Sequence, residues 1–394
     1  MRIAHVADLH LGYRQYHRQT ADGSNQREAD VALAFRRVIA EVIDQAPDVV
    51  IVAGDVFHSV RPTNSAILEA FRQFSLLAET LANVPVIVIA GNHDTPRSTE
   101  TGSILTLLEA IDTVTVVSAD TGELLFPNLE TSIACVPYAS LVSSSGLRVA
   151  PNPDCRWNVL VTHGEVAGAL PWNSAQHEYG GAQIELDDLR PETWSYIALG
   201  HYHVARPVAP NAWYSGSTEY VSTNPWGELK AEAAEGRPTG KGWLLVELRE
   251  TAAVTFRPIQ LARKFADLEE IFGAGLIPEE LDRLLEERIE ATPEGINNNV
   301  VRQVIREVPR GISRQMDHTK IRAYKASALH FNLDVRKPEV NHEIGLASPA
   351  TRKTVPEILL DYLATRPLDA DVDRGRVRAL ARTCLDTLAE QESV

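Results

Sequence analysis

Five short apolar, β-branched runs punctuate the first part of the chain: Ile3–Ala7, Val49–Ala53, Val84–Ala90, Val159–Val161 and Tyr196–Leu199. Continuous apolar runs of this kind suit strands covered on both faces by other layers. Between the early runs lie helical patterns, Ala32–Asp44 and Ser65–Asn83, whose apolar residues recur at three- and four-residue spacing. The combination predicts a layered α/β sandwich. A later run, Lys241–Arg249, alternates apolar and polar positions and predicts a half-buried strand.

From about Leu261 the pattern changes. Glu, Arg and Leu at helical spacing predict a helix around Asp267–Glu290, and strands follow. The last of these sets Leu329, Phe331, Leu333 and Val335 on one face and His330, Asn332, Asp334 and Arg336 on the other. These elements predict a first domain at 1–260 and a smaller α+β domain at 262–340. A linker containing Pro338, Gly345 and Pro349 leads into a helical tail at 350–394, where Thr354–Glu357 reads as a capping box. Val377, Leu380, Ala381, Cys384 and Leu388 then keep helical spacing, while Ile358, Leu359 and Tyr362 form an earlier apolar stripe.

Composition narrows the function classes. A net charge of -15 argues against a protein that coats nucleic acid by general electrostatics. Residues 300–337 run against that balance, with Arg302, Arg306, Arg310, Arg314, Lys320, Arg322, Lys325, Arg336 and Lys337 facing only Glu307, Asp317 and Asp334. No apolar run is long enough to span a membrane. Cys135, Cys155 and Cys384 are scattered and free of any C-x-x-C, so they read as packing residues in a reducing compartment. The first residues show no basic, apolar and small-residue leader pattern, and the expected location is the cytoplasm.

Each apolar run ends in a polar cluster: Asp8-Leu-His10, Gly54-Asp55, Gly91-Asn-His-Asp94, Thr162-His163-Gly164 and Gly200-His-Tyr-His203. In an open α/β sheet such strand ends converge on one rim. A single Gly-Asp or Thr-His would be an ordinary strand-end turn, but the ordered set of five is not. Seven members are oxygen or nitrogen donors: Asp8, His10, Asp55, Asn92, His163, His201 and His203. Alternation at i and i+2 is expected to aim both members of each Asp-x-His or His-x-His pair at one site. Seven donors without thiolate exceed the need of one tetrahedral ion and suit two divalent cations sharing a carboxylate. A water between two such cations is acidified toward hydroxide, and the doubly charged pair attracts phosphate into an otherwise acidic domain. His5 reads as a core histidine, and His17, His177, His318, His330 and His342 as solvated or structural.

The ordered motifs resemble the calcineurin-like metallophosphoesterases. The longer strings Asp8–Tyr13 and Gly54–Pro62 resemble the SbcD-type DNA double-strand-break nucleases of that superfamily. The chain departs from that pattern at Gly164 and in Ser222–Glu228. The resemblance implies that Asp8, His10 and His203 hold one metal, that Asn92, His163 and His201 hold the other, and that Asp55 bridges them. It gives His93 the role of stabilising the transition state or protonating the leaving oxygen, and His58 that of orienting His93. It implies manganese as the metal, DNA ends or hairpins as substrate, a capping role for residues 262–340, and an SbcC-type coiled-coil ABC ATPase bound by the tail. It also suggests a homodimer through Ser65–Asn83 and Gly102–Ile111, although Phe71, Phe74, Leu77, Ile104 and Leu108 there equally suit an ordinary core. The competing readings are a phosphodiesterase or phosphatase for a nucleotide or other small phosphoester, and a non-catalytic scaffold.

Overall fold

The computed structural model describes residues 1–98, 102–143, 147–169, 181–233, 238–338, 355–365 and 373–391. By chain contacts it divides into a unit at Met1–Lys337 and a second at Pro338–Val394.

Two six-stranded sheets organise the larger unit. In the first, Arg2–Val6, Val49–Ala53, Val86–Ile89 and Val114–Val117 run parallel in that order. Gly242–Leu248 pairs antiparallel with Arg2–Val6, and Ala252–Pro258 closes that edge. The second sheet has Trp157–His163 and Tyr196–Gly200 side by side at its centre, again parallel. Between the sheets lies an apolar layer that includes Ile3, Ile51, Ile87, Val161, Ala198 and Val246. The opposite face of the first sheet is covered by helices Gln26–Gln45 and Asn64–Thr80, with Ala4, Val50, Val52, Phe35 and Phe74 in that core. Successive residues of one strand therefore enter different cores, which is why the runs show no alternation.

The same geometry corrects the reading of Lys241–Arg249. Gly242–Leu248 is an interior strand between two partners, so Trp243 enters the helix-side core while Leu244, Val246 and Leu248 enter the inter-sheet layer. It is buried on both faces rather than one.

The segment around Asp267–Glu290 is helical only from Pro278 to Glu290. Pro278 starts the helix, and the Glu280 carboxylate accepts from the Ile277 backbone N–H at 3.1 Å. Phe265–Asp267 and Ile271–Phe272 are instead strands paired parallel with Val300–Arg306, whose other edge carries His330–Val335. This small sheet has its own core, including Leu281, Leu285, Ile305 and Phe331. The Gly102–Ile111 stretch forms a 3-10 helix at Ile104–Ala110. Phe74, Leu77 and Leu108 are core residues, whereas Leu68, Phe71 and Leu107 are exposed.

In the second unit, helices Val355–Thr365 and Arg374–Gln391 pack on each other. Arg374 donates to the carbonyls of Leu363 and Ala364 at 2.8 and 2.9 Å, satisfying the end of the first helix. Ile358, Leu359, Tyr362 and Leu380 are exposed. Thr354, Gly345, Pro349 and the Leu388 side chain lie outside the described residues. Among the described residues no helix is long and apolar enough to cross a membrane.

Candidate metal centre

The donor residues sit just beyond the strand ends, and left-handed backbone brings them together. Asp8, His10, Asp55 and His201 have φ of 53°, 46°, 52° and 109°. Such conformations cost about 1–3 kcal/mol each for a non-glycine residue, and persist because the surrounding structure holds them. Strand alternation is therefore not what aims Asp8 with His10 or His201 with His203, because Arg2–Val6 and Tyr196–Gly200 have already ended. Two glycines let the sheets approach at this rim. A Cβ at Gly54, whose φ is +92°, would lie 2.3 Å from His163 Nδ1, and one at Gly200 would lie 1.9 Å from the Ala53 carbonyl oxygen.

The structure brings all seven donors into one cluster, six of them buried and Asn92 half-buried. His10 Nε2 and His203 Nε2 are 3.1 Å apart, and Asp8 offers an oxygen to the same point. Asn92 Oδ1 lies 3.0 Å from His163 Nε2 and 3.1 Å from His201 Nδ1. Asp55 Oδ2 stands between the two groups, 3.3 Å from His163 Nε2 and 3.7 Å from His10 Nε2.

This donor set fits cations. His163 Nδ1 donates to the Ala53 carbonyl at 2.8 Å, so an imidazole that ligates a cation keeps its proton there and turns its Nε2 lone pair toward the side of the Asn92 and Asp55 oxygens. Asp55 Oδ2 is buried and accepts no hydrogen bond. Lone pairs that converge without a donor are costly in a dry interior unless a positive ion satisfies them.

His93 and His58 lie beside this cluster. The His93 backbone N–H donates to Asp55 Oδ1 at 2.9 Å, its ring stacks on His58 with centroids 5.2 Å apart, and it meets His10 edge-on at 4.8 Å. His58 Nδ1 is 3.2 Å from His10 Nδ1.

Several supporting residues were not singled out by sequence reasoning. Buried Asp94 accepts the backbone N–H groups of Val56, Phe57 and Gly91, tying the loop of Asp55 to that of Asn92. Burial, reinforced by the charge of Asp55, pushes its carboxyl up to about 7. Glu165 Oε1 approaches His201 Nε2 at 3.3 Å, and Glu228 Oε1 approaches His203 Nδ1 at 3.7 Å. Asp94 was visible as the last residue of its motif. Glu165 and Glu228 carried no local signal beyond being acidic residues near apolar neighbours.

The remaining sequence candidates fall elsewhere. His5 is buried with Nδ1 2.9 Å from the Tyr196 hydroxyl, and burial lowers its pKa to about 3. His330 stacks on Tyr16 at 4.0 Å, while His17 and His318 are exposed. His177 and His342 lie outside the described residues. Cys135 is buried, Cys155 half-buried and Cys384 exposed, so packing explains the first and not the last. Four of the nine basic residues of the stretch sit in ion pairs: Arg302 with Asp267, Arg306 with Glu270, Lys320 with Glu286 and Arg336 with Asp334. The carboxylates of Asp267, Glu270 and Glu286 precede the stretch in sequence, so counting charge within residues 300–337 overstated its positive field.

Comparison with known proteins adds to this geometry. The calcineurin-like phosphoesterase family matches residues 1–205. The DNA double-strand break repair protein Mre11 of Sulfurisphaera tokodaii is 34% identical over 248 residues, covering 62% of this chain and 59% of the relative. The protein of the same name from Methanocaldococcus jannaschii is 30% identical over 257 residues, covering 63% and 62%. The chain thus spans about three-fifths of the length of these relatives.

Proposed function

The chain belongs to the calcineurin-like phosphoesterases, and from that premise we propose that it is a two-metal DNA nuclease acting at duplex ends or hairpins in DNA repair. The observation that carries the reading is the convergence of Asp8, His10, Asp55, Asn92, His163, His201 and His203, with His93 alongside. Asp8, His10 and His203 would hold one cation, Asn92, His163 and His201 the other, and Asp55 both. A bound pair of divalent cations, manganese in our reading, supplies Lewis acidity toward phosphoryl oxygens and lowers the pKa of water.

The chain's own groups do the rest. Asp94 fixes the spacing of the two loops that carry Asp55 and Asn92 through three backbone N–H groups. His93 commits Nδ1 to the His58 carbonyl, which leaves Nε2 as the ring atom that passes a proton to the leaving oxygen. The side chain of His58 packs against His93 and His10 and keeps the ring in place.

Residues 262–340 would act as a cap over the site. The tail would bind an SbcC-type coiled-coil ABC ATPase through Ile358, Leu359, Tyr362 and Leu380, whose exposure supports the reading. Exposed Leu68, Phe71 and Leu107 support a homodimer through the Asn64–Thr80 helix and the 3-10 turn. The protein would work in the cytoplasm.

One observation favours the alternative of a small phosphoester substrate: the pairing of Arg302, Arg306 and Lys320 with carboxylates reduces the basic surface on offer to a polynucleotide. Hydrolysis of hairpin and linear duplex DNA with manganese, run beside a panel of nucleotide phosphodiesters, separates the two. Turnover confined to the small esters overturns the nuclease reading.

A further inference from the structure

The Pro225–Glu232 helix touches both the metal cluster and the small sheet. Trp226 is buried against Val300 of that sheet and Leu329 just before its His330–Val335 strand, beside Phe265, and the Arg302 guanidinium lies 5.0 Å over its ring. Two residues later, buried Glu228 brings Oε1 to 3.7 Å from His203 Nδ1. Its Oε2 pairs with Lys241, which is itself buried, donates to the His203 carbonyl at 2.7 Å and lies 3.2 Å from Glu232 Oε1. One turn of helix therefore carries a side chain into the small sheet and another onto a donor of the metal cluster.

Lys241 also marks where the chain leaves for the small sheet. Its carbonyl accepts from the Ile259 N–H at 2.9 Å, and a few residues on Arg263 bonds Asp30 at 2.8 Å and the Asn298 carbonyl at 2.9 Å. A cleft of about 580 Å³ lined by Tyr220, Arg263 and Phe265 opens at this crossing. The crossing therefore combines buried charges with open space, while the apolar contact around Trp226 bridges the small sheet to the helix.

We propose that the Pro225–Glu232 helix couples the seating of the small sheet to the metal-holding geometry of His203, with Trp226 as the sheet-side anchor and Glu228 as the positioning residue. The proposal rests on reading Asp8, His10 and His203 as metal ligands. A carboxylate on the far nitrogen of a ligating imidazole fixes its tautomer and direction, and its loss typically costs about 10–100-fold in metal affinity. A rigid turn cannot move Trp226 without moving Glu228. Binding at the two places is then linked in both directions: whatever seats the sheet tightens this cation, and the cation seats the sheet.

Calorimetric titration of manganese into the full chain tests this on the wild type, Glu228→Gln, Trp226→Ala and the double variant, with thermal melting to establish that each is folded. The wild type should bind two cations. Glu228→Gln should weaken one of them by about 10–100-fold, Trp226→Ala should weaken the same one, and the double variant should be no weaker than Glu228→Gln alone. If Trp226→Ala does not fold, Val300→Ala, buried on the sheet side of the same contact, replaces it under the same criteria. Additive losses, equal losses at both cations, or unchanged affinity in the sheet-side variant overturn the coupling. A wild type that binds fewer than two cations removes the metal reading itself, which is a different result.

Discussion

His93 Nδ1 donates to the carbonyl oxygen of His58 at 2.8 Å, so the backbone of His58, more than its imidazole, fixes the tautomer of His93. This separates two residues that the sequence motif could only pair. Removing a positioned acid or base costs about 10²–10⁴ in turnover. His93→Ala should therefore lose that much while keeping its metals, whereas His58→Ala, which leaves the carbonyl in place, should lose clearly less. Steady-state kinetics at saturating manganese with metal analysis on both variants decides it; equal losses would mean that packing by the His58 ring matters as much as its carbonyl.

Asp55 stands between the two donor groups, 3.3 Å from His163 Nε2 and 3.7 Å from His10 Nε2. Asp55→Ala should lose both cations rather than one. Metal analysis of the purified variant gives the answer, and retention of one full equivalent would make Asp55 a ligand of a single ion.

Much of this centre was legible in the sequence because each donor follows an apolar strand, and parallel strands carry their ends to a common rim. The means of convergence was not legible. Asp8, His10, Asp55 and His201 adopt left-handed backbone that residue type alone does not announce. The helix boundary near Pro278 was missed because Asp267–Ile271 shares helix-favouring Glu and Leu, yet Phe265–Asp267 and Ile271–Phe272 find strand partners in Val300–Arg306. Tertiary pairing there outweighs local propensity. Glu228 and Lys241 were invisible for a related reason: a buried ion pair depends on two segments meeting, and neither segment alone shows it.

The pairing of Arg302 with Asp267 and Arg306 with Glu270 changes what the basic stretch is expected to do. Each duplex phosphate contact contributes about 0.9 to the slope of binding against salt on logarithmic axes. Replacing Arg302 and Arg306 together by Gln should leave that slope unchanged, because both charges are already engaged within the chain. A slope flattened by about 1.8, the value for two lost contacts, would mean that the arginines leave their carboxylates for DNA.

The exposed Ile358, Leu359, Tyr362 and Leu380 make the tail testable by truncation. A two-helix piece of this size rarely buries enough surface to be stable alone, so a partner surface is expected to cover these side chains. If the tail holds the proposed ATPase, a chain ending at Ser348 should keep its metals and its phosphodiesterase activity and no longer copurify with that partner. Retained copurification places the ATPase contact elsewhere. A large drop in melting temperature assigns the tail to the fold of the first unit.

His5 supplies a pH dependence far from the chemistry. Its ring is buried between the sheets and bonds the Tyr196 hydroxyl at 2.9 Å, and burial lowers its pKa from 6.5 to about 3. Between those values the unfolded chain binds a proton at this residue that the folded chain does not, so stability rises with pH there. The contribution of neutral His5 is therefore complete above about 6.5 and drains away as pH falls toward 3. From pH 7 to pH 5 the unfolded imidazole gains most of its proton, which corresponds to a loss of about 2 kcal/mol at 1.36 kcal/mol per unit. Gln at this position offers Tyr196 a hydrogen-bond partner that does not titrate. His5→Gln should therefore be less stable than the wild type at pH 7, because its shape fits the site less well, yet lose about 2 kcal/mol less on going to pH 5. Urea unfolding of both proteins at the two pH values measures the difference, in which the titration of every other group cancels. Parallel losses would show that His5 takes up its proton in the folded state near its ordinary pKa.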